Sequence, residues 1–200
     1  MEFRLTYEGP LYGTGNSGNK RPEHKQDLRR KFHKQLKRFW EHHPYLKDAH
    51  HSHKISGRVM PEVKLSDYLA KKYALHGYNF VPLVTAELRV RCELNILFIR
   101  PMQPGEILNS GDIDNRIKTL FDALTIIQHR EQLAGHEAPQ DDERPFYCLL
   151  SDDKLISKVS VETDTLLQPI GDKWNPNDAR LIIQVKVHPY EWGWDNIGFG

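Results

Sequence analysis

The chain has 200 residues, a mass of 23.4 kDa and a formal net charge of +1, with 38% hydrophobic and 10% aromatic residues. A chain of this length buries about 70% of the surface that it exposes when unfolded, so it has room for a substantial core and is not expected to be disordered. The longest stretch without Asp, Glu, Lys or Arg has 14 residues, which is too short for a transmembrane helix, and the N-terminus lacks the apolar segment of a signal peptide. Because Cys92 and Cys148 do not form a CxxC pair, neither a disulfide framework nor a Cys-rich zinc site is predicted, and we expect a cytoplasmic protein.

The near-neutral total hides two segments of opposite charge. Nine basic and two acidic residues between Lys20 and Arg38 give a net charge of +7, whereas seven acidic residues and one basic residue between Glu131 and Asp153 give −6. Such a separation suits a metal-dependent enzyme that acts on a polyanion. The alternative is a pair of solvated surface segments.

The chain begins with an alternating segment, Phe3–Tyr7, which predicts a short strand. A glycine-rich segment follows, in which Gly13, Gly15 and Gly18 have the spacing G-x-G-x-x-G of dinucleotide-binding loops. No βαβ unit surrounds the segment, so a flexible loop is favoured over a nucleotide site.

Residues 23–41 are predicted to form an amphipathic helix, because Leu28, Phe32, Leu36 and Trp40 recur at helical spacing. Basic side chains occupy the other faces of this helix and the segment before it. We therefore predict a nucleic-acid-binding surface that consists of Lys20, Arg21, Lys25, Arg29, Arg30, Lys34 and Arg38.

The segment at 42–84 has no clean period, and we interpret it as an insertion, as we do the polar segment at 129–146. A short helix is predicted over Leu65–Leu75. The first insertion carries a group of histidines, for which a solvated loop is favoured over a transition-metal site, since no regular pattern of His and carboxylate ligands accompanies them. These histidines are His42, His43, His50, His51 and His53.

The second half of the chain holds the clearest elements. Alternation predicts strands over Ala86–Arg100, Leu155–Val161 and Arg180–His188, and a 3.6-residue period predicts a helix from Asp112 to about Gln128. The aromatic tail Tyr190–Trp194 is expected to dock on the core. We predict one α+β domain over residues 1–200, with a single mixed sheet and two main helices packed on it.

Two pairs of carboxylates suggest a cation site. Asp112 and Asp114 stand at the start of the predicted helix, and Asp152 and Asp153 precede a strand. Closely packed carboxylates raise each other's pKa unless a cation joins them, and oxygen-only ligands suit Mg²⁺ or Mn²⁺. Lys118, one turn after Asp114, is either an ordinary i,i+4 ion-pair partner or a cation that stabilises charge on a phosphate under attack.

The segment Gly111–Thr125, with the sequence GDIDNRIKTLFDALT, followed by Ser151-Asp152-Asp153 and a strand, resembles the RusA family of Holliday junction resolvases. That family has a D-x-D-N-x-x-K motif, a helix with F-D-A-L and an Asp-Asp pair that opens a strand. The motif match covers about 30 residues, and the order of elements agrees over half of the chain.

The resemblance implies a function and a set of site residues. Asp112, Asp114 and Asp153, or less directly Asp152, match the metal-binding carboxylates, and Lys118 matches the catalytic lysine. Asn115 and Asp122 match supporting positions. Members of the family are Mg²⁺-dependent homodimers that bind and nick four-way DNA junctions, so branched DNA, a homodimer and a role in DNA recombination and repair are implied here.

The chain differs from the family in length, in its near-zero charge and in having no basic residue between Pro101 and Ser110. These differences leave other branched, flapped or single-stranded DNA, or RNA, open as substrates. Two further alternatives remain, namely a DNA-binding module without catalysis and an unrelated α+β domain in which Asp112 and Asp114 only cap a helix.

Overall fold

The computed structural model of the protein describes residues 1–13, 21–51, 54–55, 58–59, 62–101, 112–133, 135–136 and 138–200. Seven side chains within these ranges lie outside this description, namely those of Arg21, Lys54, Ile55, Arg58, Val59, Asp112 and Trp194. The fold is α+β, as predicted, with helices packed against a mixed sheet. Within the described residues, no helix combines the length and the apolar character needed to cross a membrane.

The helices are α1 (Arg21–His42), α2 (Leu65–Lys72) and α3 (Asp112–Leu124). The strands are, in chain order, β1 (Glu2–Pro10), β2 (His50–His51), β3 (Lys54–Ile55), β4 (Arg58–Val59), β5 (Val63–Lys64), β6 (Ala74–Leu75), β7 (Tyr78–Val84), β8 (Val90–Arg100), β9 (Phe146–Leu150), β10 (Ile156–Thr165) and β11 (Asp178–Pro189).

The main sheet has the strand order β1-β11-β8-β10. β11 pairs antiparallel with both β1 and β8, whereas β10 runs parallel to β8, so the chain between them crosses over through α3. The alternation predicted for β8 holds over Val90–Arg100, because its even-numbered residues are buried and the odd-numbered ones are partly or fully exposed. The residues just before it, 86–89, form a turn instead of the predicted start of the strand.

A second sheet has the strand order β6-β7-β9. β6 and β7 lie in the predicted insertion at 42–84, and β9 begins at the last residue of the predicted insertion at 129–146. β7 and β9 are parallel, and Val81, Leu83 and Val84 of β7 belong to the main hydrophobic core. The segment at 42–84 is therefore not wholly peripheral, since its last strand is part of the core.

The two parallel pairs follow each other along the chain. β7 leads into β8 through residues 85–89, and β9 leads into β10 through residues 151–155. The Ser151 amide donates to the Val84 carbonyl at 3.0 Å, so the two connecting segments, 85–89 and 151–155, begin side by side. The Asp152–Asp153 pair lies in the segment at 151–155, just after the carboxyl end of β9.

The long helix predicted over 23–41 is confirmed as α1, and its buried side is the predicted one. Leu28, Phe32, Leu36 and Trp40 are all almost completely buried. α3 packs on α1 and on β9, and its Leu120 belongs to the main hydrophobic core. The helix ends at Leu124, somewhat before the predicted Gln128.

The C-terminal tail docks on the core through Phe199, which lies beyond the predicted segment Tyr190–Trp194, and the Trp194 side chain lies outside the description. Tyr190 and Trp192 are largely exposed, whereas Phe199 is fully buried. The Phe199 carbonyl accepts a hydrogen bond from the N-terminal amine of Met1 at 2.7 Å, which brings the two ends of the described chain together.

Candidate functional site

The motif helix α3 presents a polar stripe that ends in a cavity. Asp114, Lys118 and Asp122 are four residues apart, so they lie along one side of the helix. Asp114 and Lys118 are exposed and Asp122 is partly buried. The helical rise puts the Cα atoms of Asp114 and Asp122 about 12 Å apart along the axis.

Arg116 anchors the first half of α3. Its buried guanidinium donates to the Leu11 carbonyl, just beyond β1, and to Asn177 Oδ1 at 3.1 Å, just before β11. Burying an arginine is costly unless its N–H donors have hydrogen-bond partners. These two bonds hold α3 against the chain segments that contain Leu11 and Asn177. The spacing of the motif residues does not single out Arg116, although it lies inside the motif.

Asp122 is held by two residues of α1. Lys25 Nζ lies 2.5 Å from Asp122 Oδ2, and Arg29 Nη2 donates to the Asp122 carbonyl at 2.8 Å. Arg29 is buried, and its burial lowers the pKa of the guanidinium to about 10, against the opposing effect of the nearby Asp122 charge. Lys25 and Arg29, which were predicted to contact DNA, thus hold the C-terminal half of the motif helix.

The Asp152–Asp153 pair lies in a tight turn. Asp152 Oδ1 accepts a hydrogen bond from the Lys154 amide at 2.9 Å and so caps the single 3-10 turn at Asp153–Leu155. Asp152 is partly buried and Asp153 is exposed.

These two acidic segments line one cavity. Asp122, Asp152 and Asp153 surround a space of about 380 Å³ that is also lined by Arg29 and His129. We call it the acidic cavity. It brings the motif helix to the Asp-Asp turn, as the cation-site hypothesis requires, but the helix residue that lines it is Asp122, which had been given only a supporting role.

The other residues of the predicted site lie nearer the start of α3, and the structure describes them only in part. Asp112 begins α3, and its side chain lies outside the described residues. Asp114 lies two turns before Asp122, and Asn115 is partly buried, with its carbonyl accepting from Thr119 Oγ1 at 3.1 Å. Among the side chains that the structure describes, no three His, Cys, Asp or Glu residues are grouped closely enough to hold a metal ion.

Asp152 also borders a second cavity, of about 560 Å³, which we call the Glu87 cavity. Glu87 forms an ion pair with Lys72 at 2.7 Å and accepts a hydrogen bond from the Tyr73 hydroxyl. Burial alone would raise the pKa of Glu87, but these bonds outweigh it, so the pKa is lowered and the carboxylate stays charged.

The basic face of α1 is smaller than the sequence predicted. Arg30 Nε bonds to the buried Glu143 carboxylate at 2.6 Å, and Lys37 donates to the Asp142 carbonyl at 3.2 Å. Part of the basic segment thus neutralises the acidic segment directly. Lys34 and Arg38 remain exposed, and Lys20 lies outside the described residues.

The histidine segment is engaged in local contacts. His50 bonds to the Asp48 carbonyl at 2.7 Å, and His51 lies 3.3 Å from Asp195 with its ring stacked on Tyr68 at 3.8 Å. His53 lies outside the described residues, as does most of the glycine-rich loop, from residue 14 to residue 20.

The chain matches no protein-family model, and searches of curated proteins and of solved structures return no match either. The resemblance to the RusA family therefore depends on the motif residues alone.

Proposed function

We propose that the protein is a divalent-metal-dependent endonuclease that hydrolyses phosphodiester bonds in branched DNA, with four-way junctions as the substrate that the RusA resemblance implies. A homodimer and a cytoplasmic location are part of the same proposal. The observation that carries it is the acidic cavity, because Asp122 of the motif helix lines the same space as Asp152 and Asp153 although the two segments are about 30 residues apart.

The donor set fits a hard divalent cation. Carboxylate oxygens are the ligands that Mg²⁺ and Mn²⁺ take in proteins, and each of the candidate ligands is an aspartate. Asp112, Asp114 and Asp153, with Asp152 as the alternative to Asp153, are the proposed ligands of the ion. Of the described ones, Asp152 and Asp153 line the acidic cavity, whereas Asp114 lies about 12 Å along α3 from Asp122, so one shared ion requires the start of α3 to approach the Asp152–Asp153 turn. When bound, it would lower the pKa of a water molecule and neutralise phosphate oxygens.

The residues of the chain have separable roles in this proposal. Asp122 is a positioning residue rather than a ligand, because Lys25 already neutralises its carboxylate at 2.5 Å. Lys118 is exposed on the same stripe, where its ammonium would stabilise the charge that develops on the attacked phosphate.

The second candidate is a DNA-binding module that keeps the fold without cleavage. The Lys25–Asp122 ion pair favours this candidate. Asp122 is the carboxylate of the motif helix that lines the acidic cavity, and Lys25 already neutralises it. In that case Asp152 and Asp153 would have a structural role in their turn, and DNA binding would be independent of metal.

The test is a cleavage assay on labelled junction, flap and linear DNA, with Mg²⁺ or with EDTA. We expect Mg²⁺-dependent nicking that falls at least about a hundredfold in Asp114→Asn and in Lys118→Ala. Asp48→Asn is the matched control, since the Asp48 side chain is 78% exposed on the turn after α1 and does not line the acidic cavity. Mobility shifts without nicking, equal in Mg²⁺ and EDTA, would favour the binding module and overturn the nuclease.

A further inference from the structure

β10 is a long and exposed edge of the main sheet. It has ten residues, it pairs only with β8 in the described sheet, and none of its residues is buried. Val159 and Val161 are 42% and 36% exposed. A long edge strand without proline offers unpaired backbone groups to another chain, so natural proteins usually protect such edges.

The opposite edge of the same sheet is protected. Gln35 of α1 accepts a hydrogen bond from the Thr6 amide at 2.9 Å and donates one to the Thr6 carbonyl at 2.8 Å. Lys31 donates to the Glu8 carbonyl at 3.1 Å. α1 therefore caps the outer side of β1, whereas among the described residues no side chain from another element bonds to the backbone of residues 157–164.

The sequence of β10 is complementary to itself when it is reversed. In an antiparallel pair related by a two-fold axis at Ser160, residues whose numbers are equally far from 160 face each other. Lys158 then lies opposite Glu162 of the second copy, and the same pair occurs twice. On the other face of the sheet, Val159 lies opposite Val161, also twice, which covers the exposed valines.

We propose that two copies of the chain join β10 to β10 in this antiparallel register and form one continuous eight-stranded sheet. Opposite charges and β-branched side chains directly across a pair of strands both stabilise it. The proposal names the surface and the register of the homodimer, and it does not depend on hydrolysis.

The register also places the two candidate sites. Asp153 precedes the strand, so it lies seven residues from the two-fold axis. The extended-strand spacing sets the distance between the two Asp153 Cα atoms at no more than about 46 Å. The acidic cavities would thus lie at opposite ends of the shared edge, where they could act on two strands of one branched DNA.

Disulfide trapping tests the register. Facing Cβ atoms in such a pair are about 5 Å apart, so Ser160→Cys should form an inter-chain disulfide on mild oxidation, while the buried Cys92 and Cys148 remain unreacted. Asp164→Cys is the control within the same strand. In this register position 164 faces position 156 of the second copy, so the two introduced cysteines are eight residues apart along the strand and cannot form a disulfide. Efficient cross-linking of Val161→Cys but not of Ser160→Cys would overturn the register.

Charge exchange tests the interface itself. By light scattering after size exclusion, the wild-type chain should have twice the 23.4 kDa chain mass. Lys158→Glu should raise the dimer dissociation constant at least tenfold, and Lys158→Glu with Glu162→Lys should recover most of that loss. Circular dichroism establishes that each variant is folded. A monomeric wild-type chain at hundred-micromolar concentration, or equal dimerisation by the single and double variants, would overturn the proposal even if Mg²⁺-dependent nicking is observed.

Discussion

At the scale of single residues, the contacts of Arg29 indicate a role in stability and not in binding DNA. Its guanidinium is buried and bonds to the Asp122 carbonyl at 2.8 Å, so it links α1 to the motif helix. Removal of a buried donor leaves its acceptor without a partner and opens a cavity. Arg29 is therefore expected to matter for stability more than for phosphate binding.

We predict that Arg29→Ala lowers the free energy of unfolding by about 2–4 kcal/mol, measured by urea denaturation. Lys34→Ala, an exposed residue of the same helix, should stay within about 0.5 kcal/mol of the wild type. If both variants were equally stable and Arg29→Ala lost only DNA affinity, the guanidinium would be a phosphate contact, and the packing role assigned to it would be wrong.

At the scale of elements, His33 joins α1 to β9. Its Nδ1 accepts a hydrogen bond from the Tyr147 amide at 2.8 Å, and its Nε2 lies 3.0 Å from the Asp142 carbonyl. This arrangement requires the neutral ring with its proton on Nε2, because a protonated Nδ1 would face an N–H group. Burial lowers the pKa of His33 below its ordinary value of 6.5, against the smaller opposing effects of Asp142 and Glu143.

A pH dependence of stability follows from this lowered pKa. Below pH 6.5 the unfolded chain binds a proton at this position that the folded chain binds only at lower pH. The stabilisation is therefore complete above that pH and is lost as the pH falls through the lower, folded-state pKa. We predict that His33→Gln flattens the fall in unfolding free energy between neutral and mildly acidic pH. The exposed-site variant His50→Gln should keep the wild-type slope, and identical slopes for both variants would contradict the assignment.

The sequence predicted the elements that have a clear period, and also the short helix α2 in a region without one, but it missed the strands β7 and β9. α1, α3, β8 and β11 each carry a repeat of apolar residues with one buried face, which a periodic pattern detects. β7 and β9 are buried on nearly all sides, so they show no alternation, and Pro82 argues further against a strand at β7.

The candidate site was predictable in part for a similar reason. The Asp residues and Lys118 could be picked out by type and spacing, and their resemblance to a known motif joined them. The partners Lys25, Arg29 and Arg116 could not, because their roles depend on how α1, β1 and α3 meet in space. A basic residue on an amphipathic helix has the same sequence pattern whether it faces solvent or a neighbouring helix.

At the scale of the whole molecule, the two oppositely charged segments partly cancel each other. Arg30 of the basic segment bonds to Glu143 of the acidic segment. Lys25 bonds to Asp122 of α3, which lies outside the acidic segment, so both basic residues already have an acidic partner in this structure. The exposed cations of α1 include Lys31, Lys34 and Arg38. A nucleic acid would thus meet fewer charges than the sequence count of +7 suggests.

We predict that Lys34→Ala with Arg38→Ala weakens DNA binding and flattens its salt dependence. Each phosphate contact that is lost lowers the slope of log affinity against log salt by about 0.9 for duplex DNA. The measurement is a fluorescence anisotropy titration at several salt concentrations. Lys47→Ala, an exposed lysine beyond the end of α1, is the control. An unchanged slope in the double variant would place the DNA elsewhere on the molecule.

The most direct test of the central claim is a crystal structure of the protein soaked in Mn²⁺, with the ion located by its anomalous scattering. We predict a Mn²⁺ ion that is bound both by an aspartate near the start of α3 and by Asp153 or Asp152. A Mn²⁺ ion that touches only one of these two segments, or none bound to either of them at saturating Mn²⁺, would contradict it.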